Sequence, residues 1–393
     1  MRILYLTQLF SRTHGGGEYL FSMWAQELSK RGHQIFVISQ RIVGIRDDRG
    51  MEGDVSVIAL PPAIHYQAGL PPSIKDNILF LIVATLFGVR IVRENGIDII
   101  HSNSYAPIFV GAVVALLTHR PHIATVHDIF SVPGKRYWRL WSQQSGVSRV
   151  SEFLGRVTER MAVNAFRTVI HTVSETSKQD ILSLGTGNPV VVIPNAIELS
   201  LYEKPNGRSG SNVQVIFIGR HVFYKNLDVV LEAFPKVVEA FPDAKLVVVG
   251  DGPMKLAWTR QAERLGLGQD VDFRGYVSHE EKLHLLSKSA ALVLPSLVEG
   301  FGIVILEAFA MKRPVLVSDL PPMNQIVCDG VDGYLLEPHD PDGWARGMIQ
   351  VFEDPEGSSR MGLSGYEKVT TDYSISTTAS RLEEMYLRYV QTV

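Results

Sequence analysis

The clearest chemical signal in the chain is Ser296-Leu-Val-Glu-Gly-Phe-Gly-Ile-Val-Ile-Leu-Glu307, a glycine-bearing turn running into an apolar helix that begins near Gly302. Gly300 and Gly302 let backbone amides face outward at a helix N-terminus, where unpaired N–H groups and the helix dipole attract a phosphate or a sugar hydroxyl. Glu299 falls in the turn and Glu307 lies inside the helix. Two carboxylates so spaced would accept hydrogen bonds from separate hydroxyl-bearing parts of one elongated ligand. An acidic residue near a helix start is favourable without any ligand, but the glycines tip the reading toward one.

A second constellation opens the latter half, where Gly219-Arg220 follows the apolar run Val213–Ile218 and Lys225 comes five residues after the arginine. A strand ending in Gly and then supplying two cations can balance a diphosphate without a metal; solvated surface charge is the alternative. Val249-Gly250-Asp251-Gly252 is a further strand-to-turn edge, and its glycines would let backbone approach a ligand closely. Near the N-terminus, Thr13-His14-Gly15-Gly16-Gly17-Glu18 follows the first apolar run and would admit a phosphate or an acceptor hydroxyl. Its spacing is not GxGxxG, and the next strand ends Ile38-Ser39-Gln40 without an acidic residue for a ribose, which disfavours NAD or FAD there. His127-Asp128 ends the run Ile123–Val126, so the imidazole is expected at the same sheet edge, although a strand-end His can also be structural. No His/Cys cluster has ligand spacing and no GxSxG elbow occurs, so neither a metal centre nor a serine nucleophile is expected.

These residues need a scaffold that brings strand ends together. Apolar, β-branched runs alternate with helical segments at Ile3–Thr7, Ile35–Ser39, Val55–Leu60, Ile97–His101, Ile123–Val126, Thr168–Val173 and Val190–Ile193. After the polar stretch Glu203–Asn212 the pattern restarts with Val213–Ile218, Lys245–Val249, Val271–Phe273, Ala291–Leu294 and Val315–Ser318. Alternation of this kind means an α/β chain with parallel sheets covered on both faces. The expected architecture is two Rossmann-like, doubly wound domains, residues 1–196 and 197–373, with a C-terminal helix over 374–393 and ligand crevices at the strands' carboxyl ends facing an interdomain cleft.

Composition narrows the class further. With 393 residues, 46% hydrophobic and 20% charged, disorder and collagen-like repeats are excluded. The single cysteine, Cys328, leaves no disulfide framework and fits a reducing, cytoplasmic compartment. Residues 1–196 hold 19 Lys+Arg against 14 Asp+Glu, and residues 197–393 hold 19 against 27, so the halves carry +5 and −8. No long basic tract is present, which argues against nucleic acid; a positive first half favours an anionic partner. The N-terminal apolar stretch is too short for a signal peptide. Ile78–Val89 is too short to cross about 30 Å of hydrocarbon as a helix, and reads as a core helix or an interfacial one. Lys135-Arg-Tyr-Trp-Arg-Leu-Trp141 interleaves aromatic and basic residues as a headgroup zone would require, or as a loop packed on its own domain would.

Taken in order, GGGE near the start, VHD at Val126–Asp128, HTVSE at His171–Glu175, VIPNAIE at Val192–Glu198, FIGRHVFYKN at Phe217–Asn226, VVGDGP at Val248–Pro253 and EGFGIVILEA at Glu299–Ala308 resemble the retaining glycosyltransferases of family 4. The most specific element is Glu-x7-Glu with its internal GFG. The resemblance implies a GT-B fold, with a nucleotide-sugar donor (a GDP- or UDP-sugar) on the second domain and the acceptor on the first. Arg220 and Lys225 would grip the donor diphosphate, Glu307 the nucleotide ribose and Glu299 the sugar hydroxyls. The donor site would further include Gly15, Gly16, Gly17, Gly219, Gly250, Asp251, Gly252, Gly300, Phe301, Gly302 and Ile303. His127 would reach the donor sugar or its phosphate, the acceptor side would involve Gly16, His127 and Asp128, and Asn195 falls at the interdomain position. Asp128 after the His, and Ala196-Ile197 where Gly-Val is frequent, depart from the common pattern and leave base and sugar open.

The expected activity is transfer, with retention at the anomeric carbon, of a hexose or N-acetylhexosamine from a nucleoside diphosphate sugar to an acceptor hydroxyl, with no cofactor and no metal, mannose or glucose types being favoured. The basic first half, the Ile78–Val89 run and the Lys135–Trp141 stretch point to a lipid-linked glycan or glycolipid acceptor and a peripheral site on the cytoplasmic membrane face. A nucleotide-sugar epimerase and a non-catalytic sugar-nucleotide-binding module remain as alternatives on the same fold; intact Arg220, Lys225 and both glutamates count against the latter.

Overall fold

The computed structural model describes residues 1–10, 17–43, 54–64, 74–132, 149–202 and 213–391. Gly15, Gly16, the Lys135–Trp141 stretch and the Glu203–Asn212 stretch lie outside them. The chain forms two compact units, Met1–Asn195 with Ile375–Val393, and Ala196–Ser374.

Unit 1 carries a seven-stranded sheet of β1 (Arg2–Thr7), β2 (Gln34–Ile42), β3 (Val55–Ile64), β4 (Ile99–Asn103), β5 (His122–Thr125), β6 (Thr168–Thr172) and β7 (Val190–Val192), in the order β3-β2-β1-β4-β5-β6-β7 and paired in parallel throughout. The order reverses between β1 and β4. The fourth strand begins two residues later than its apolar run, because Ile97 N–H still closes the preceding helix on Val92 O at 3.2 Å and Asp98 N–H bonds Arg2 O at 2.8 Å.

Side-chain alternation divides the helices between the faces of this sheet. Leu4, Leu6, Ile100, Ala124 and Ile170 point to one face. It is covered by α2 (Ile74–Asn95), α3 (Tyr105–Thr118) and α4 (Arg149–Val163), through Phe80 and Ala84, Ile108 and Val114, and Ala162 and Val163. Tyr5, His101 and His171 point to the other face, against α1 (Gly17–Lys30), with Phe21 and Trp24, and the C-terminal helix Ile375–Val390, with Tyr386. Both faces are thus buried, as a wholly parallel sheet requires, the second with polar side chains among its apolar ones.

Helix α2 contains the whole Ile78–Val89 run, and only one side of it is core. Phe80 and Ala84 are buried, whereas Ile78, Leu79, Ile82 and Leu86 face outward. Among the described residues no helix is long and apolar enough to cross a membrane.

Unit 2 has six parallel strands, β8 (Gln214–Ile218), β9 (Lys245–Val249), β10 (Val271–Gly275), β11 (Ala291–Leu294), β12 (Val315–Ser318) and β13 (Gly333–Leu336), in the order β10-β9-β8-β11-β12-β13. Its core packs Val215, Phe217, Leu246, Val248 and Val293 with Leu231 and Phe234 of the helix Leu227–Ala240, Trp258 and Trp344. Here the order reverses between β8 and β11, so the segments following these two strands flank the switch point where a doubly wound sheet opens a crevice. Those segments hold Gly219–Lys225 and Ser296–Gly302.

Candidate functional site

In unit 2 the two strand-end segments are joined directly. Leu297 N–H bonds Tyr224 O at 2.7 Å, and Lys225 Nζ makes an ion pair with Glu299 Oε1. Lys225 sits at the end of a short 3-10 turn, Phe223–Lys225, and Asn226 follows with φ 52° and anchors Pro338 O at 2.9 Å. Both charged side chains are mostly enclosed, at 14% and 11% exposure, and Ser296 Oγ donates a further hydrogen bond to the same carboxylate oxygen at 2.8 Å. Arg220 behaves differently. It is exposed, and its side chain makes no hydrogen bond or ion pair among the described residues, so its guanidinium fork is available to an anion.

Backbone shape at this edge depends on glycine. Gly250 has φ +124°, and a Cβ there would lie 1.9 Å from Gly219 O. Only a bare backbone lets the β9 turn nest under the β8 turn, where Gly219 N–H bonds Val249 O at 3.0 Å and His221 N–H bonds Asp251 O at 2.9 Å. Asp251 caps Gly252 N–H at 2.7 Å and pairs with Lys255 at 3.0 Å; that lysine bond holds its carboxyl below the usual range. Gly302, with φ +92°, is the N-cap of the helix Ile303–Ala310. The first amides of that helix have no intrahelical acceptor and aim a positive dipole end outward. Phe301 is buried, edge-on to Tyr373 with centroids 5.9 Å apart, and anchors the turn.

Glu307 does not stand alone either. Its Oε1 accepts from Lys282 Nζ at 2.6 Å and from Tyr202 OH at 3.1 Å, and Tyr202 packs edge-on against His279. Burial lowers the pKa of His279, as does Lys282 beside it. Ser296 belongs to the turn motif itself, whereas Lys282, Tyr202 and His279 are not marked by it. These three come from distant positions, and no local motif marks a partner that only the folded sheet brings near.

In unit 1, Gly17 is the first residue of α1. His127 lies just past β5 and donates from Nε2 to Asn103 Oδ1 at 3.0 Å, at the end of neighbouring β4. Burial pushes its pKa down to about 4, with His171 adding to the effect, so the ring is neutral near pH 7 and Nδ1 presents its lone pair. Asp128 is exposed, and the single hydroxyl proton of Tyr105 is shared between the Asp128 backbone carbonyl, at 2.8 Å, and buried Glu159, at 3.0 Å. Asn103 Nδ2 and Asn195 Oδ1 are buried with no hydrogen-bond partner among the described residues. Ser104, next to Asn103, carries φ +75°, a strained conformation for a side-chain-bearing residue and one that concentrates at functional sites. Neither is marked by the sequence: Asn103 is placed by its register with Thr7 of β1 and Thr125 of β5, and Ser104 by the turn into α3.

Beneath this edge runs a buried relay with one consistent direction. His171 Nε2 donates to Ile193 O at 3.0 Å, so its Nδ1 accepts from Thr125 Oγ1 at 2.8 Å. Thr125 in turn accepts from His101 Nε2 at 2.7 Å, and His101 Nδ1 accepts from Tyr386 OH at 2.6 Å, which itself accepts from Tyr5 OH at 3.1 Å. Every group in this chain is satisfied without charge, and burial holds both imidazoles below their ordinary pKa. Among the described residues no three His, Cys, Asp or Glu side chains are grouped to hold a metal ion.

Known proteins share both halves. Residues 14–201 match the model of Glycosyltransferase Family 4, and residues 201–368 match that of Glycosyl transferases group 1. An uncharacterized glycosyltransferase of Methanocaldococcus jannaschii is 28% identical, covering 84% of this chain and 83% of its own length. The D-inositol 3-phosphate glycosyltransferase of Corynebacterium diphtheriae is 25% identical, with 95% of this chain and 89% of that protein covered. Among solved structures, Anabaena HepE in complex with UDP-glucose superposes with TM-score 0.74 at 20% identity, covering 99% of this chain and 100% of that one. With two parallel-sheet α/β units matched in sequence along nearly their whole length, the chain belongs to the family 4 glycosyltransferases of GT-B fold.

Proposed function

We propose that this glycosyltransferase moves a hexose or N-acetylhexosamine from a GDP- or UDP-sugar bound by unit 2 to an acceptor hydroxyl, with retention at the anomeric carbon. The observation that carries the reading is the Lys225–Glu299 ion pair, which ties the Arg220 turn to the Gly300–Gly302 turn at the switch point of the second sheet. A cation, a free guanidinium and a helix N-terminus there form a preorganised site for a departing diphosphate, the charge that develops as the anomeric bond breaks. That the Anabaena relative is described with UDP-glucose supports the donor class.

In the reaction the anomeric carbon–phosphate oxygen bond breaks as the acceptor oxygen bonds to the same carbon. Glu299 Oε1 is already held by Lys225 and Ser296, and Glu307 Oε1 by Lys282 and Tyr202. Both carboxylates therefore serve as fixed hydrogen-bond acceptors for the donor's sugar and ribose hydroxyls, and neither is a free nucleophile of the kind a covalent double displacement needs. We assign the acceptor's proton to the leaving phosphate oxygen, on the face from which the acceptor arrives. Arg220 and Lys225 stabilise the released diphosphate, so the reaction needs no metal. His127 Nδ1 accepts a hydrogen bond from a donor-sugar hydroxyl. The acceptor is a lipid-linked glycan or glycolipid presented at the cytoplasmic membrane face.

A thermal-shift screen over UDP- and GDP-sugars tests donor binding. A donor at 100 times its Kd should add about 2.7 kcal/mol to the unit that holds it. The donor that shifts melting should then release nucleoside diphosphate with a glycolipid acceptor in EDTA, and NMR of the product should show the donor's anomeric configuration. No shift with any nucleotide sugar, inverted product, strict dependence on added metal, or conversion of the donor sugar without acceptor would each overturn the corresponding part.

A further inference from the structure

Large apolar side chains are exposed over the outer surface of unit 1's three-helix layer, and we propose that this surface docks on an anionic lipid bilayer. On α2, Ile78, Ile82 and Leu86 recur every fourth residue along the outer stripe, Leu86 being 67% exposed. Leu116 and Leu117 stand exposed on α3, and Phe153 (65%) and Met161 on α4. The three helices form one layer. A Cβ at Gly88 of α2 would lie 2.9 Å from Val114 of α3, and α3 shares its other side with Ala162 and Val163 of α4 through Ile108. All three cover the same face of the sheet, so their outward residues belong to a single surface. A patch of this kind on a monomer marks an interaction site.

Charge selects the partner. Segments 74–95, 105–120 and 149–167 hold 8 Lys+Arg (Lys75, Arg90, Arg93, Arg120, Arg149, Arg156, Arg160 and Arg167) against 4 Asp+Glu (Asp76, Glu94, Glu152 and Glu159), a net of +4. One of those acids, Glu159, is buried under Tyr105 and faces inward. Lys75 and Arg93 are exposed toward the two ends of the α2 helix, and Arg160 is exposed beside Met161. Long basic side chains around apolar ones match a headgroup-and-acyl boundary, the stems lying along the apolar surface and the charges reaching phosphates. A second copy of the chain is a worse occupant, because a two-fold interface sets a patch against itself and would bring this positive rim against its own image. The inference rests on the glycolipid reading above for its biological sense, but not for its physics.

Flotation with phosphatidylglycerol-containing vesicles and with pure phosphatidylcholine vesicles tests it. The wild-type chain should float with the former and stay in solution with the latter. Leu86→Glu/Leu117→Glu/Phe153→Glu should weaken anionic-vesicle binding at least tenfold. Arg93→Glu/Arg160→Glu should weaken it too, and both should keep the wild-type melting temperature and nucleotide-sugar binding. Absence of wild-type binding to anionic vesicles overturns the proposal. So does retention of binding by both variants, or a wild-type dimer that the apolar variant alone converts to monomer. A chain that binds anionic vesicles and transfers no sugar would instead sink the donor reading and leave the docking surface standing. Should the triple variant fold poorly, Arg93→Glu/Arg160→Glu decides alone.

Discussion

Arg220 and Lys225 sit five residues apart in the chain but do different work in the fold. Arg220 is exposed and unpaired among the described residues, whereas Lys225 neutralises Glu299 in a mostly enclosed pair. Arg220→Ala should therefore cut turnover about 100-fold or more, the scale of losing one transition-state donor, with no change in melting temperature. Lys225→Met should lose activity and also stability, because breaking an enclosed pair strands the other charge, at a cost of about 3–5 kcal/mol. Adding Glu299→Gln to Lys225→Met should return part of that stability and none of the turnover; equal stability of the single and double variants in urea titrations would refute the pairing. Asn103 gives a second residue-level test. It holds His127 Nε2 and keeps company with a ring whose pKa is near 4. Asn103→Asp would set a carboxylate against the imidazole and favour its charged form. If a neutral His127 is needed, the acid limb of the kcat/KM profile should move to higher pH, and an unmoved limb would remove His127 from the mechanism.

At the scale of elements, most strands were legible because a parallel sheet buried on both faces leaves continuous β-branched runs, as in Lys245–Val249 and Ala291–Leu294. The turns at Gly250 and Gly302 were legible for a similar reason, since each needs a backbone that other residues resist. What stayed hidden was either short or long-range. The edge strand Gly333–Leu336 is four residues with one apolar face and little pattern to show. The partners of Glu307 and His127 depend on which strands lie side by side, and spacing along the chain does not carry that. The C-terminal helix shows both cases: its amphipathic stripe is plain in Leu382, Met385 and Tyr386, but the hydroxyl that matters most is visible only in the fold. Tyr386 OH bridges Tyr5 and His101 Nδ1, and Trp24 Nε1 bonds Thr378 Oγ1 at 2.9 Å on the same helix. Tyr386→Phe would leave two buried groups unpaired, so unit 1 should lose about 1–3 kcal/mol. Chemical denaturation followed through Trp24 should show it; unaltered stability would mean that the relay is looser than its distances state.

Across the whole molecule, enclosed histidines are unevenly shared. Among the described residues unit 1 buries His101, His122 and His171 and half-buries His127, and desolvation is the leading cause that holds each below its ordinary pKa, to about 3 for His122 and about 4 for His127 and His171. Unit 2 has His221, at about 4, and the partly enclosed His279. A group whose pKa is lower folded than unfolded binds more protons in the unfolded chain between the two values, so stability rises with pH through that window. The contribution is complete above about pH 6.5, the unfolded histidine value, and is lost as pH falls toward the folded values near 4. Among the described residues four such groups in unit 1 against two in unit 2 make unit 1 the acid-labile half. Hydrogen exchange read by mass spectrometry at pH 7.0 and 5.0, corrected for intrinsic rates, should show protection falling in peptides from Ile99–Asn103 and Thr168–Thr172. Peptides from Ala291–Leu294 and Val315–Ser318 should hold their protection far better. Equal losses in both sets would mean that the units unfold as one cooperative body, and preserved protection in unit 1 would mean that the relay admits protons without opening. Either outcome would separate the histidines' burial from the stability of the half that holds them.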